Sequence, residues 1–330
     1  MYSVYQHWDP LKVCIVGRSY PPEFYSWITV PHVRKLFEKI AIETEEDYQA
    51  IIKKLQDFNV HVLRPDLPSL NFVDGKFVPP PMTPRDVTAM IGKTFYNTYN
   101  SPHDCYDKIF DHISAQENTI KSIYHTHLNG SMVSRIGKDL YFSTTKYGEG
   151  IEEIKKYASA EFKTTRNHII DSGGHGDGTY CPVCPGLIIS LYDIPTYKET
   201  FPDWEVVYLP DQSWENVRPF LNLKAKNKGK WWIPGFEQDQ DVIDVVETWL
   251  NHWTGYVEET VFDVNMLIID PKNVMVFSYN KQVFEALNRY GITPHIVPFR
   301  HRYFWDGGIH CVTSDLHREG TMQDYFPERG

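Results

Sequence analysis

Near its end the chain carries a cysteine, Cys311, in the run Trp305-Asp306-Gly307-Gly308-Ile309-His310-Cys311-Val312-Thr313-Ser314-Asp315. Two glycines leave the backbone there open to a ligand. The flanks, Phe304-Trp305 and Leu316-His317-Arg318, are partly apolar and partly cationic. A thiol so placed can be held as thiolate, the form that attacks carbon, although a buried cysteine on a short terminal strand fits the same pattern. Two further segments hold titratable partners. Met82-Thr83-Pro84-Arg85-Asp86 puts Asp86 at the opening of a strand, where it can also be a simple turn residue. Gly173-Gly174-His175-Gly176-Asp177-Gly178-Thr179 sets His175 and Asp177 two apart, on one face if extended, among glycines that clear space. Cysteine, histidine and two aspartates together suit one chemistry. Two carboxylates clamp a planar guanidinium, a thiolate attacks its central carbon, and histidine gives a proton to the departing amine. Cys181-Pro182-Val183-Cys184 superficially looks like a redox or zinc pair, but no second ligand pair stands at metal spacing and Pro185-Gly186 follows at once. No metal and no cofactor is expected.

The elements that must position these residues repeat along the chain. Lys12 to Gly17 reads as a buried strand, Thr44-Glu45-Glu46-Asp47 as the start of a helix through Leu55, and Asn59 to Leu63 as a strand. The order recurs in Arg85–Ile91 (strand), Cys105–Ile113 (helix) and Ile120–Tyr124 (strand). Val133–Ile136 and Leu140–Ser143 form strands around a Gly137-Lys138-Asp139 turn, before a helix from Ile151 to Ala158. Met266–Asp270 and Val274–Phe277 flank Pro271-Lys272-Asn273, then Lys281–Arg289 is helical and His295–Pro298 extended. A strand-strand-helix-strand unit repeated without sequence identity suits radially arranged units more than one open sheet. We expect a single domain over residues 1–330.

Composition bounds the partners. The 330 residues are 42% hydrophobic and 15% aromatic, enough for a substantial core, and the net charge of -10 disfavours nucleic acid or an anionic membrane. Five widely spread cysteines suggest no disulfide framework, and neither a signal core nor a bilayer-spanning run is visible, so a cytoplasmic protein is expected.

Several segments then resemble the arginine:glycine amidinotransferase family, within the guanidino-group-modifying superfamily. They are Trp8-Asp9-Pro10-Leu11, Ile15-Val16-Gly17-Arg18, Pro84-Arg85-Asp86, Pro185-Gly186-Leu187-Ile188, Val264-Asn265-Met266-Leu267, Gly307–Cys311 and Arg318–Tyr325. The resemblance covers essentially the full chain. It implies an α/β propeller of five ββαβ units, with Cys311 as nucleophile, His175 as general acid and base, and Asp86 and Asp177 as guanidinium clamps. Asn265, Ser172 and Gly174 fall among the residues it places at the substrate. The implied reaction is ping-pong: arginine or a related guanidine gives its amidino group to the cysteine, and an acceptor amine collects it. A homodimer is implied too.

Departures from the family pattern bear on activity. Met132, in Leu128-Asn129-Gly130-Ser131-Met132-Val133, stands where the family has the Asp that orients the histidine, and Asn129 or Asp171 could substitute only by rerouting. Ile194 replaces an arginine that holds a substrate carboxylate, and Glu258 and Glu259 replace two serines that assist it, which favours an ammonium over a carboxylate. Ser172-Gly173-Gly174 implies a roomier acceptor site than a glycine-specific enzyme has. Three readings follow: a transferase to an amine other than glycine, a silent or very slow homologue that binds guanidino compounds, and a guanidino-group hydrolase.

Overall fold

The computed structural model describes residues 1–98, 104–123, 128–191, 193–209, 233–250, 253 and 263–329. Apolar β1 (Leu11–Val16) leads through the long helix α1 (Pro31–Asp57) to β2 (His61–Leu63), which lies parallel to β1. A hairpin of β3 (Phe72–Val73) and β4 (Lys76–Phe77) follows. The next unit is β5 (Thr88–Ile91), β6 (Thr94–Thr98), α2 (Asp107–Ser114) and β7 (Thr119–Ile123). Then come β8 (Val133–Ile136), β9 (Asp139–Ser143), α3 (Ile151–Glu161) and β10 (Arg166–Ile170). A fourth unit holds β11 (Tyr180–Cys184), β12 (Leu187–Ser190), α4 (Tyr197–Thr200) and β13 (Glu205–Tyr208). The fifth has β14 (Leu267–Asp270), β15 (Asn273–Val276), the helix Lys281–Arg289 and β16 (Thr293–Ile296). Finally β17 (Thr313–Arg318) returns to pair antiparallel with β1, Ile15 opposite Ser314, and completes the first sheet. The result is five three-stranded sheets of one plan: an antiparallel pair, then a parallel strand that needs a helical crossover to reach its place.

Three expectations change. The helix begins at Pro31 rather than Thr44. Val33, Phe37, Ile40, Ala41, Tyr48, Ile51 and Leu55 form one buried stripe along it, and proline in its first turn lacks only a donor that would have no intrahelical partner. Thr44, which reads as a cap, instead accepts a hydrogen bond from Trp305 Nε1 at 2.9 Å in mid-helix. Asp86 does not open a strand: Pro84–Asp86 is one 3-10 turn and the strand starts at Thr88. Cys181-Pro182-Val183-Cys184 is β11, in the unit whose signal, the apolar run Leu187-Ile188-Ile189, the repeat pattern passed over. Tyr124 lies outside the described residues. No described helix is long and apolar enough to cross a membrane.

Where three of the sheets meet lies a charged core. Asp315 of β17 is fully buried, and Arg85 Nη1 (2.5 Å), Arg135 Nη2 (2.9 Å) and Arg318 Nε (2.7 Å) all donate to it. These come from the turn before β5, from β8 and from β17. Burial alone would raise the Asp315 carboxyl; the facing guanidinia outweigh it and hold it well below the usual carboxylate range. Burial in turn pulls Arg135 down to about 10. Further guanidinium N–H groups reach backbone carbonyls of Met90, Thr313 and Asp9, which offsets part of the surplus positive charge, while Arg85 Nη2 and Arg135 Nε are buried with no hydrogen-bond partner among the described residues. Removing one partner of a buried ion cluster strands the others. Asp315→Asn should therefore lower stability by about 3–5 kcal/mol in urea unfolding. A loss below about 1 kcal/mol would show that the carbonyls alone satisfy the three guanidinia.

Candidate active site

The segment around Cys311 is held by Asn265, which sits just before β14. Its Oδ1 accepts from the backbone N–H of His310 (2.8 Å) and of Cys311 (3.3 Å). Its Nδ2 donates to Cys311 Sγ (3.1 Å) and to the Asp177 carbonyl (3.1 Å). Gly308 makes this approach possible, because a Cβ there would collide with the Asn265 amide. Arg85 holds the other side of the segment. Its backbone N–H donates to the Cys311 carbonyl (3.3 Å), and its Nε to the carbonyls of His310 (3.2 Å) and Thr313 (2.9 Å). The charged core therefore reaches the thiol through the residue preceding Asp86.

Cys311 is 1% exposed, and its Sγ lies 3.5 Å from Asp177 Oδ2. The same oxygen is 2.7 Å from His310 Nδ1. Asp177 is not extended beside His175; it sits in the 3-10 turn Gly176–Gly178, so the two side chains do not share a strand face as the spacing suggested. His175 instead faces Asp86, with Nδ1 3.7 Å from Oδ1, and both side chains are partly open to solvent. Asp86 Oδ1 has no hydrogen-bond partner among the described residues. Two pairs thus stand together, Cys311 with Asp177 and His175 with Asp86. The bonds of Arg85 and the short turn between 175 and 177 join them.

The other four cysteines are buried too. Burial pushes Cys14, Cys105 and Cys181 up to about 12 and Cys184 to about 11. Burial also drives His310 well below its ordinary value, and Arg85 and His7 push the same way. The ring is therefore neutral near pH 7, and its Nδ1–H donates to the Asp177 carboxylate, which can only accept.

The remaining expected residues fall in different places. Met132 is buried at 1% exposure, with its backbone N–H on Asn129. Asn129 Oδ1 is taken by Ser131 N, Ser131 Oγ and Met132 N. Asp171 accepts from Thr144 Oγ1 and Gly148 N, stapling the 144–148 loop. Both rerouting candidates are thus engaged elsewhere. Ser172 Oγ donates to the Gly174 carbonyl at 2.8 Å, and a Cβ on Gly174 would meet nothing within 4 Å. Gly173, at φ +65°, lies against the Tyr147 ring. Ile194 is buried in the apolar cluster of Tyr180, Ile189 and Tyr197. Glu258 and Glu259 lie outside the described residues. The sequence carries no sign of the partnership of His310 with Asp177, and the Asn265 amide, which the resemblance places at the substrate, is hydrogen-bonded within the protein.

No protein-family model matches the chain. Glycine amidinotransferase, mitochondrial, of Xenopus laevis is 23% identical over 98% of this chain and 84% of its own. The L-arginine:L-lysine amidinotransferase of Pseudomonas savastanoi pv. phaseolicola is 20% identical over 66% of this chain and 51% of its own. Among solved structures, the inosamine-phosphate amidinotransferase StrB1 of Streptomyces griseus superposes with a TM-score of 0.67 at 20% identity, covering 98% of this chain and 99% of that one. The chain resembles the amidinotransferases. Hydrolases share the wider fold: a dimethylarginine dimethylaminohydrolase superposes with a TM-score of 0.55 at 11% identity over 93% of this chain and 100% of its own.

Two buried neutral histidines have a measurable consequence. Burial likewise holds His7 well below its ordinary value. Below about pH 6.5 the unfolded chain binds protons on both that the native protein does not, so stability falls as pH falls. The slope reaches about 1.4 kcal/mol per pH unit for each histidine. Urea unfolding between about pH 7 and pH 5.5 should show it, and His310→Asn should remove one proton from the slope. An unchanged slope would mean that His310 protonates inside the fold.

Proposed function

We propose that this chain transfers an amidino group from arginine or a related guanidine to an amine acceptor other than glycine, in a ping-pong reaction through an amidino-cysteine at Cys311. The observation that carries the reading is the thiol of Cys311 held by Asn265 Nδ2 beside the Asp177 carboxylate, with His175 and Asp86 paired alongside. In this reading Asp177 and Asp86 bracket the planar guanidinium, and Asp86 Oδ1, buried with no hydrogen-bond partner among the described residues, accepts one of its N–H groups. The Cys311 thiolate bonds to the central carbon, and the C–N bond to the donor amine breaks as His175 gives that nitrogen a proton. The acceptor amine then loses a proton to His175 and displaces the thiolate. The open space at Gly174 admits an acceptor larger than glycine. We assign the five three-stranded sheets to blades of one α/β propeller, closed by the pairing of β1 with β17.

Met132 favours a second reading, a protein that binds guanidino compounds and turns over very slowly or not at all. A buried thioether offers no strong acceptor to fix the imidazole tautomer, and loss of an orienting Asp in a serine-protease triad lowers the rate by about 10⁴. Intact-protein mass spectrometry after incubation with arginine, with ornithine assayed in the same tube, separates the readings. The transferase predicts a Cys311 adduct with stoichiometric ornithine, and none in Cys311→Ala; an adduct that survives that change sinks it. Binding without adduct or ornithine supports the silent reading, and amidino hydrolysis without any added amine the hydrolase. Met132→Asp should raise the adduct rate, by at most about 10⁴. No gain in a well-folded variant would show that Asp86 already orients His175.

A further inference from the structure

His310 makes a short polar contact in the site, yet it belongs to neither the proposed nucleophile nor the acid-base pair. Its Nδ1 lies 2.7 Å from Asp177 Oδ2, and the next residue's Sγ lies 3.5 Å from that same oxygen. His310 and Asp177 are both buried. The backbone around Asp177 is pinned, with its N–H on the Ser131 carbonyl (3.2 Å) and its carbonyl on Asn265 Nδ2 (3.1 Å). The side chain sits in a turn with glycine on either side, so its orientation depends on what its oxygens bind. The histidine is itself anchored by Asn265 Oδ1 on its N–H and by the tilted His7 ring, 5.9 Å between centroids. The donor is therefore rigid.

We propose that His310 is a positioning residue: its Nδ1–H fixes Asp177 so that one carboxylate faces both the Cys311 thiol and the incoming guanidinium. This rests on the reading of Asp177 as a guanidinium clamp. The bond does two things. It holds Asp177 in one rotamer, so the planar cation meets a preset partner rather than ordering it on arrival. It also offsets the anion beside the sulfur. A carboxylate with no donor opposes thiolate formation, whereas one bound to an N–H presents less negative charge to its neighbour. Cys311, Asp177 and His310 thus act as a unit in which the histidine touches no substrate.

The test compares the full-length protein with His310→Leu and His310→Asn, alone and in an Asp177→Asn background. Arginine and agmatine are titrated by calorimetry, and the Cys311 adduct is followed by intact mass. Leucine removes the donor, while asparagine can place its amide nitrogen where Nδ1 stands. His310→Leu should weaken guanidine binding by about 10- to 100-fold, the range for a hydrogen bond to a charged group. His310→Asn should stay within about threefold of wild type, and His310→Leu should have no further effect once Asp177 is Asn. Wild-type affinity in His310→Leu overturns the inference and leaves the proposed function standing. Equal losses in the leucine and asparagine variants, or a loss that persists in Asp177→Asn, show a purely structural role and overturn it as well. Wild-type protein that neither binds nor reacts with either guanidine overturns the proposed function and this inference with it.

Discussion

The rest of the structure depends on one buried carboxylate. Asp315 holds three guanidinia from three parts of the chain, and no one of them could be buried there without it. Arg85 joins that cluster to chemistry, since its Nη1 binds Asp315 while its Nε and backbone N–H hold carbonyls around Cys311. The positive surplus also explains the two neutral histidines. His7 and His310 stay unprotonated first because they are desolvated and then because guanidinia surround them.

Four aspartates show how environment divides one residue type among tasks. Asp315 is sealed among arginines and has no route to a ligand. Asp171 staples a loop through Thr144 and Gly148. Asp177 is buried but shares an oxygen between a histidine and a thiol, and Asp86 is partly open and faces His175. Of these four, the last two stand beside Cys311 and His175. The cysteines divide in the same way. Burial first, and for Cys14, Cys105 and Cys181 also neighbouring carboxylates, make these three and Cys184 reluctant thiolates, while Cys311 has an amide N–H aimed at its sulfur.

Met132 stands where the family resemblance expects a histidine-orienting aspartate, and its thioether is buried. Neither Asn129 nor Asp171 turns to replace a carboxylate there, because each already satisfies local backbone N–H groups, and leaving those unpaired would itself be unfavourable. Asp86 faces His175, with Oδ1 3.7 Å from Nδ1. In the proposed reaction that one carboxylate would serve both the imidazole and the guanidinium.

Sequence by itself determined much of this protein. Alternation of apolar runs and turns placed four of the five repeating units, and the types and spacings of Cys311, His175, Asp86 and Asp177 pointed to guanidinium chemistry. Those features are local, set by side-chain periodicity and by the reactivity of each group. The long first helix was only half visible, because Thr44-Glu45-Glu46-Asp47 mimics a cap and only the distant Trp305 shows what Thr44 binds. The four-residue helix α4 carries too little periodicity to reveal its unit. Tertiary structure alone decided that Arg85, Arg135 and Arg318 converge on Asp315, that Asn265 grips Cys311, and that His310 binds Asp177. Their partners are mostly far apart in the chain, and the bonds exist only because β17 returns to β1 and brings the ends of the repeats together.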